Sequence, residues 1–235
     1  MKKTLLVLIL FIFKSGFGQT AYIKLKNPVY SEKETTTPLL FDFNGQSFGK
    51  KDTIIQIKLN KTGFDACKVT SNDYILDFVT KFKENETYEI QQGCCCSDFN
   101  LVAEKNPKRG TVTFKNNTKK DLGFLVGIES DTVAKGKKKM FFATESAMCF
   151  FKPCDILITE AEYLSHKYDY DSDSKKDYKA LSEEQEKFVL DLKWFHFLHG
   201  EKIEATYNPD LHKIVFKLKG YLTDKEYLKI INGDN

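Results

Sequence analysis

Three consecutive cysteines, Cys94, Cys95 and Cys96, are the residues of this sequence best suited to chemistry. In an extended chain, Cys94 and Cys96 project to one face and Cys95 projects to the other. Two thiolates on one face, joined by a third from elsewhere in the chain, form a ligand set for a soft metal ion such as Cu(I) or Zn(II). One hypothesis is therefore a thiol-based metal-binding or redox protein.

Disulfide bonding is the structural alternative for the cysteines, and we prefer it because the chain is expected to be exported. Adjacent cysteines are poorly placed to share one disulfide, since the bond would distort the peptide between them. The triplet should therefore pair with distant cysteines, with the Cys149 and Cys154 segment as the first candidate. Six cysteines allow 15 pairings, which the sequence does not distinguish, and unpaired buried thiols remain a further alternative. The candidate disulfide or thiol cluster comprises Cys67, Cys94, Cys95, Cys96, Cys149 and Cys154.

A second candidate metal site is a run of alternating aspartates. Asp169, Asp171 and Asp173 have the spacing with which an EF-hand calcium loop begins. The resemblance to that loop ends there, because its sixth position is Ser174 rather than glycine and its twelfth is Ala180 rather than glutamate. We interpret the run as a solvated acidic loop, with a weak Ca²⁺ site as the alternative.

The search for catalytic motifs is mostly negative. The sequence has no Gly-x-Ser-x-Gly nucleophile elbow, no phosphate loop and no dinucleotide fingerprint. His196 and His199 are three residues apart near the end of a predicted helix, without the His-Glu-x-x-His pattern of a zinc enzyme. We expect both histidines to pack against the core near the helix C-terminus. A Cys–His dyad or a carboxylate pair would become visible only in the fold, which leaves an envelope-polymer hydrolase as an alternative.

The first eighteen residues have the three-part layout of a secretory signal peptide. A short cationic start precedes the apolar run from Leu5 to Phe13, and small residues at Gly16 and Gly18 predict cleavage after Gly18. The apolar run is shorter than the roughly 20 residues that span a bilayer, and no later segment reaches that length. We expect an exported, soluble protein, periplasmic or secreted, without a stable transmembrane anchor.

The net charge of the mature chain argues against nucleic acid as a partner. The whole chain has 36 basic and 33 acidic side chains, and removal of Lys2, Lys3 and Lys14 with the leader leaves 33 of each. Arg109 is the sole arginine, and arginine is the preferred reader of phosphates and guanine edges. We therefore expect no nucleic-acid partner.

Residues 19–160 are predicted to form a β-sandwich domain. Short alternating or fully apolar runs, such as Ile54 to Leu59, Thr111 to Lys115 and Leu122 to Ile128, are separated by turn residues. No segment in this region has the helical pattern that would join strands of a parallel sheet, so the prediction is a mainly β, antiparallel sandwich.

A different pattern follows residue 160. Residues 161–181 are predicted to be an acidic loop or linker, and residues 182–235 a helix–hairpin–short helix element packed on the sandwich. Ser182 begins a capping box, after which Phe188, Leu192, Phe195 and His199 share one helical face. Asn208-Pro209-Asp210 predicts a hairpin, and a second capping box at Thr223 and Glu226 predicts the last helix.

The sequence thus predicts a non-catalytic binding module for a protein or glycan of the envelope or the extracellular space. The prediction rests on the strand-rich layout and on the missing catalytic motifs, since a fold alone does not establish a function. No cofactor is expected. The metal alternatives are Cu or Zn at the cysteines and Ca at the aspartates.

Overall fold

The computed structural model describes residues 19–26, 40–48, 54–71, 74–92, 99–103, 109–143, 153–167 and 186–232. In these residues sixteen strands and two helices have defined bounds, so the mainly β prediction is confirmed. The strands are β1 (Thr20–Lys26), β2 (Leu40–Phe43), β3 (Gln46–Phe48), β4 (Ile54–Lys58), β5 (Asp65–Ser71), β6 (Tyr74–Thr80), β7 (Thr87–Gln92), β8 (Phe99–Ala103), β9 (Thr111–Lys115), β10 (Leu122–Val126), β11 (Glu129–Val133), β12 (Lys138–Phe142), β13 (Cys154–Glu160), β14 (Val189–His196), β15 (Glu201–Asn208) and β16 (Lys213–Tyr221). The helices are α1 (Glu162–Lys167) and α2 (Asp224–Ile231).

The strands form three sheets. An amino-terminal sheet has the order β4-β1-β7-β8, and a carboxy-terminal sheet has the order β12-β9-β15-β16. Between them lies an eight-stranded central sheet with the order β11-β10-β13-β14-β6-β5-β2-β3.

The two four-stranded sheets pack on opposite faces of the central sheet. In β14, Trp194 packs against the core beneath the amino-terminal sheet, and the next residue, Phe195, belongs to the core beneath the carboxy-terminal sheet. Successive residues of a strand point to opposite faces, so the two cores lie on either side of β14. The result is two sandwiches that share one sheet.

The antiparallel prediction is only partly right, because three strand pairs are parallel. They are β1 with β7, β6 with β14, and β9 with β15. A helical crossover is the usual sign of a parallel pair in a sequence. Here, however, each parallel pair is connected through other strands of the sandwich. The sheets are therefore mixed.

The predicted helix ending at His199 is wrong from Val189 onward, because Val189–His196 is strand β14. Leu190, Leu192 and Trp194 alternate with Asp191 and Lys193 as a strand requires, but Leu192 also fits the helical spacing from Phe188 to Phe195, which led to the helix prediction. Residues 162–167, predicted as the start of the acidic linker, form α1, in which Leu164 is buried against Leu125 and Leu157. The Ser182 capping box and residues 168–181 lie outside the described residues.

The last elements agree with the prediction. Strands β15 and β16 pair as an antiparallel hairpin, and Asn208 Oδ1 accepts hydrogen bonds from the backbone N–H groups of Asp210 and Leu211 in the turn. Helix α2 begins with the Thr223 and Glu226 capping box. Neither described helix is long and apolar enough to cross a bilayer.

Gly110 lies where the carboxy-terminal sheet leaves no room for a side chain. A Cβ at this position would lie 2.2 Å from the Phe197 ring and 2.3 Å from the carbonyl oxygen of Glu201. We expect Gly110→Ala to lower the free energy of unfolding by about 1–3 kcal/mol through overpacking, measured by urea denaturation.

Gly45→Ala is the control for this substitution. Gly45 has a φ of +83° but nothing within 4 Å of the added Cβ, so only backbone strain of about 1 kcal/mol is expected. Equal stability of Gly110→Ala and the wild type would contradict the close approach.

Candidate functional site

The predicted cysteine cluster is only partly within the described residues. Cys67 is buried in β5, and burial together with the nearby Asp65 carboxylate raises the pKa of its thiol well above the usual value. Cys154 is half-buried at the start of β13, and no disulfide joins these two cysteines. Cys94, Cys95, Cys96 and Cys149 lie outside the described residues, so the disulfide and metal hypotheses for them stay predictions.

The aspartate run also stays a prediction, because Asp169, Asp171 and Asp173 lie outside the described residues. Within the described part of the chain, no three His, Cys, Asp or Glu side chains come together in a group able to hold a metal ion.

His196 is a buried connection between two sheets rather than a residue on a helix. Its Nε2 lies 2.8 Å from the carbonyl oxygen of Leu101 in β8, and because a carbonyl only accepts, Nε2 carries the proton. The hydroxyl of Thr80 donates to the His196 carbonyl oxygen at 2.7 Å. Burial lowers the pKa of His196 to about 4, so the ring is neutral at pH 7.

His199 follows β14 and hydrogen-bonds to a second buried group, the Tyr88 hydroxyl, at 2.6 Å. The Tyr88 oxygen already accepts from the backbone N–H of Lys83 at 2.8 Å, so we assign its proton to the bond with His199 Nε2. Burial, with the positive charge of Lys83 as a lesser cause, lowers the pKa of His199 to about 4. Burial also raises the pKa of Tyr88.

Glu201 closes the turn between β14 and β15. One of its carboxylate oxygens lies 3.0 Å from the backbone nitrogen of Leu198 and 3.1 Å from that of His199. Burial raises the pKa of Glu201 to about 7, although these hydrogen bonds and Lys83 act in the opposite direction. Three groups with strongly perturbed pKa values, the buried His196 and Glu201 and the half-buried His199, thus serve to fix the backbone and join elements of the fold.

The most distinctive surface feature is a group of lysines on two adjacent turns. Residues 115–121 and 134–139 contain seven lysines and one acid, Asp121. Two of the lysines are paired, Lys120 with Glu160 at 2.6 Å and Lys139 with Asp131. The other five are exposed and form no ion pair with a described residue. We call these five the lysine cluster: Lys115, Lys119, Lys135, Lys137 and Lys138.

A single buried side chain, Asn116, holds the two turns together. Its Nδ2 donates to the carbonyl oxygens of Lys120 and Val133 at 2.9 and 2.8 Å. Its Oδ1 accepts from both the backbone N–H and the hydroxyl of Thr118, at 3.0 and 2.7 Å. All four hydrogen-bonding positions of the amide are therefore used, and the side chain is 0% exposed.

Backbone hydrogen bonds reinforce this junction. The N–H of Asn116 donates to the Lys137 carbonyl oxygen, and the N–H of Gly136 donates to the Asn116 carbonyl oxygen, both at 2.9 Å. Asp121 Oδ1 accepts from the N–H of Lys135 at 2.8 Å. The lysine cluster is thus presented by a hydrogen-bonded platform rather than by two independent loops.

The positive charge of the lysine cluster favours the binding of an anion. Lys115 in β9 and Lys138 in β12 are directly opposite each other on the outer face of the carboxy-terminal sheet. Like charges at this spacing destabilise a sheet by a few tenths of a kcal/mol or more. An anion bound between the two lysines would relieve that repulsion.

Sequence reasoning missed this site because the mature chain is neutral as a whole. The pattern of Lys135 and Lys137–Lys139 alone predicts an exposed turn, and the structure shows exposed residues of which Lys138 and Lys139 already belong to strand β12. The pairing of Lys138 with Lys115, and the burial of Asn116 between two turns, depend on strand register. The signal in the sequence was the local excess of lysine in two segments that each contain turn residues.

The chain matches no model of a protein family and none of the curated proteins.

Asn116→Ala tests the platform. The substitution removes the Nδ2 donor from the buried Val133 carbonyl oxygen, whereas the Lys120 carbonyl oxygen keeps the Thr118 hydroxyl as a donor. We therefore expect a loss of about 2 kcal/mol of stability, measured by denaturant unfolding. Asn117→Ala, at the exposed next residue, should change stability by less than about 0.5 kcal/mol. Equal effects of the two substitutions would contradict the role of Asn116.

The pH dependence of stability tests the buried groups. Between pH 4.5 and 6.5, the unfolded chain carries protons on His196 and His199, whose usual pKa is 6.5, but not on Glu201, whose usual pKa is 4.5. Across most of this range the folded protein carries the Glu201 proton alone. These three groups therefore make stability rise with pH by about 1 kcal/mol per pH unit on average over this range.

Glu201→Gln removes the opposing contribution, so the stability of this variant should rise more steeply, by about 2 kcal/mol per pH unit from the two histidines. Subtracting the wild-type slope from that of the variant removes the contributions of the ionisable groups that both proteins share. Urea denaturation at several pH values between 4.5 and 6.5 measures it. Identical slopes would show that Glu201 is not protonated in the folded protein.

Proposed function

We propose that this chain is an exported, non-catalytic binding protein that uses the lysine cluster to hold an acidic partner in the envelope or outside the cell. The observation that carries the proposal is the set of five exposed lysines without ion pairs on the hydrogen-bonded platform around Asn116. Because the platform is ordered before binding, the ligand does not have to order it, which favours affinity.

Export is supported by the sequence of residues 1–18, which has the layout of a signal peptide. Cleavage after Gly18 would leave a mature chain of zero formal charge. In a chain without net charge, a local excess of lysine creates positive electrostatic potential at one place on the surface.

A binding role is further supported by what the perturbed buried groups do. Both carboxylate oxygens of Glu201 lie within hydrogen-bonding distance of backbone N–H groups, and His196 Nε2 donates to a backbone carbonyl. These groups are engaged inside the fold, whereas the lysine cluster is in contact with solvent.

The composition of the cluster supports a partner other than nucleic acid. Its cations are all lysines, and residues 115–121 and 134–139 contain neither an arginine nor an aromatic side chain. Guanine recognition favours arginine, and single-stranded binding favours aromatic rings on which bases stack.

Charge removal tests the proposal. With all five lysines of the cluster changed to glutamine, the affinity for acidic polymers should fall about 50-fold, since each exposed ion pair contributes up to about 1 kcal/mol. The measurement is titration calorimetry with polyglutamate and with polygalacturonate. Wild-type affinity should fall as salt is raised, because exposed charges are screened.

The matched control removes five exposed lysines outside the cluster: Lys58, Lys61, Lys187, Lys225 and Lys229. This variant has the same net charge as the cluster variant, so a loss confined to the cluster variant identifies the site. An equal loss in both would mean that net charge alone drives binding. Unchanged affinity in the cluster variant would refute the proposed function.

A further inference from the structure

One row of side chains extends from the lysine cluster across the outer face of the carboxy-terminal sheet. Lys138 in β12 is opposite Lys115 in β9, Lys115 is opposite Thr206 in β15, and Thr206 is opposite Val215 in β16. Neighbouring strands are about 4.8 Å apart, so the row is about 14 Å long. It presents two ammonium groups, one hydroxyl and one aliphatic surface in a line.

The outward direction of this row follows from burial in the same strands. Phe114 in β9 and Ala205 in β15 are buried in the core beneath the sheet. Lys115 and Thr206 are their neighbours in sequence and therefore point to the opposite face. Val215, 40% exposed, ends the row.

The chemistry around the row favours a sugar chain over a protein surface. Protein interfaces are centred on buried aromatic and aliphatic side chains and are depleted in lysine. The two turns of the cluster carry no aromatic side chain and no aliphatic one larger than Ala134. They offer the amide of exposed Asn117 instead, and an amide can exchange hydrogen bonds with sugar hydroxyls.

We propose that the acidic partner is a linear carboxylated polysaccharide that lies across strands β12, β9, β15 and β16 along this row. Its carboxylates bind Lys138 and Lys115, a sugar hydroxyl hydrogen-bonds with Thr206, and the C–H face of a sugar ring packs on Val215. This inference rests on the proposed function, because it names the ligand of the same lysine cluster.

Thr206→Val separates a sugar chain from other acidic polymers, because it removes a hydroxyl without changing charge. We expect the affinity for polygalacturonate to fall about fivefold, as for the loss of one hydrogen bond. The affinity for polyglutamate, which has carboxylates but no hydroxyl groups, should not change. Titration calorimetry measures both affinities.

Thr113→Val is the matched control. Thr113 is on the same outer face but one row away, opposite Met140 and Glu204. Thr113→Val should bind both polymers with the affinity of the wild type. Thermal unfolding should show that both valine variants remain folded.

Three outcomes would overturn the inference: an unchanged affinity of Thr206→Val for polygalacturonate, an equal loss for both polymers, or wild-type protein that binds polyglutamate more tightly than polygalacturonate. The proposed function would survive each of them if the five-lysine variant still lost affinity for acidic polymers. The proposed function fails separately when that variant keeps its affinity.

Discussion

Strand β14 is the constraint on which the rest of the structure depends, because both cores are built on it. Trp194 packs against one core and Phe195 belongs to the other. The strand joins the two halves of the central sheet through a parallel ladder with only two residue pairs, Phe195 with Val79 and His196 with Thr80. Two side-chain hydrogen bonds strengthen this short ladder. The Thr80 hydroxyl donates to the His196 carbonyl oxygen, and His196 Nε2 donates to the Leu101 carbonyl oxygen.

Two carboxylates accept hydrogen bonds from backbone N–H groups in the edge strands of the carboxy-terminal sheet. Glu129 Oε2 in β11 accepts from the N–H of Phe142 in β12 at 2.8 Å. Asp191 Oδ2 in β14 accepts from the N–H of Ile214 in β16 at 2.6 Å. An unpaired edge is a template for unwanted strand addition. Both carboxylates bridge from the central sheet to the carboxy-terminal sheet. They therefore join the two layers and also accept hydrogen bonds from backbone N–H groups of the edge strands.

Much of the β architecture could be predicted from local patterns. Thr111–Lys115 is a strand as predicted, and so is the hairpin around Asn208, because alternation and turn chemistry are local properties. The strand at Val189–His196 was missed because Phe188, Leu192 and Phe195 also share one helical face, although Leu190 to Trp194 alternate between apolar and polar residues. The parallel pairs were missed because they join residues far apart in the sequence.

The candidate site shows the same limit. The excess of lysine was visible in residues 135–139, but it had no functional meaning without Lys115, which register places opposite Lys138. The burial of Asn116 was equally hidden, because Asn116-Asn117 is a common turn signal and only one of its two amides enters the core. Composition averaged over the whole chain concealed a charge distribution that only tertiary pairing creates.

The parallel ladder between β6 and β14 also sets the order in which the protein can fold. Thr80 and His196 are separated by 116 positions in the chain, so the edge of β6 stays open until nearly the whole polypeptide is available. Contacts between such distant residues slow folding, since a long loop must close before they form. The central sheet is therefore completed only when β14, in the last third of the chain, is available to pair with β6.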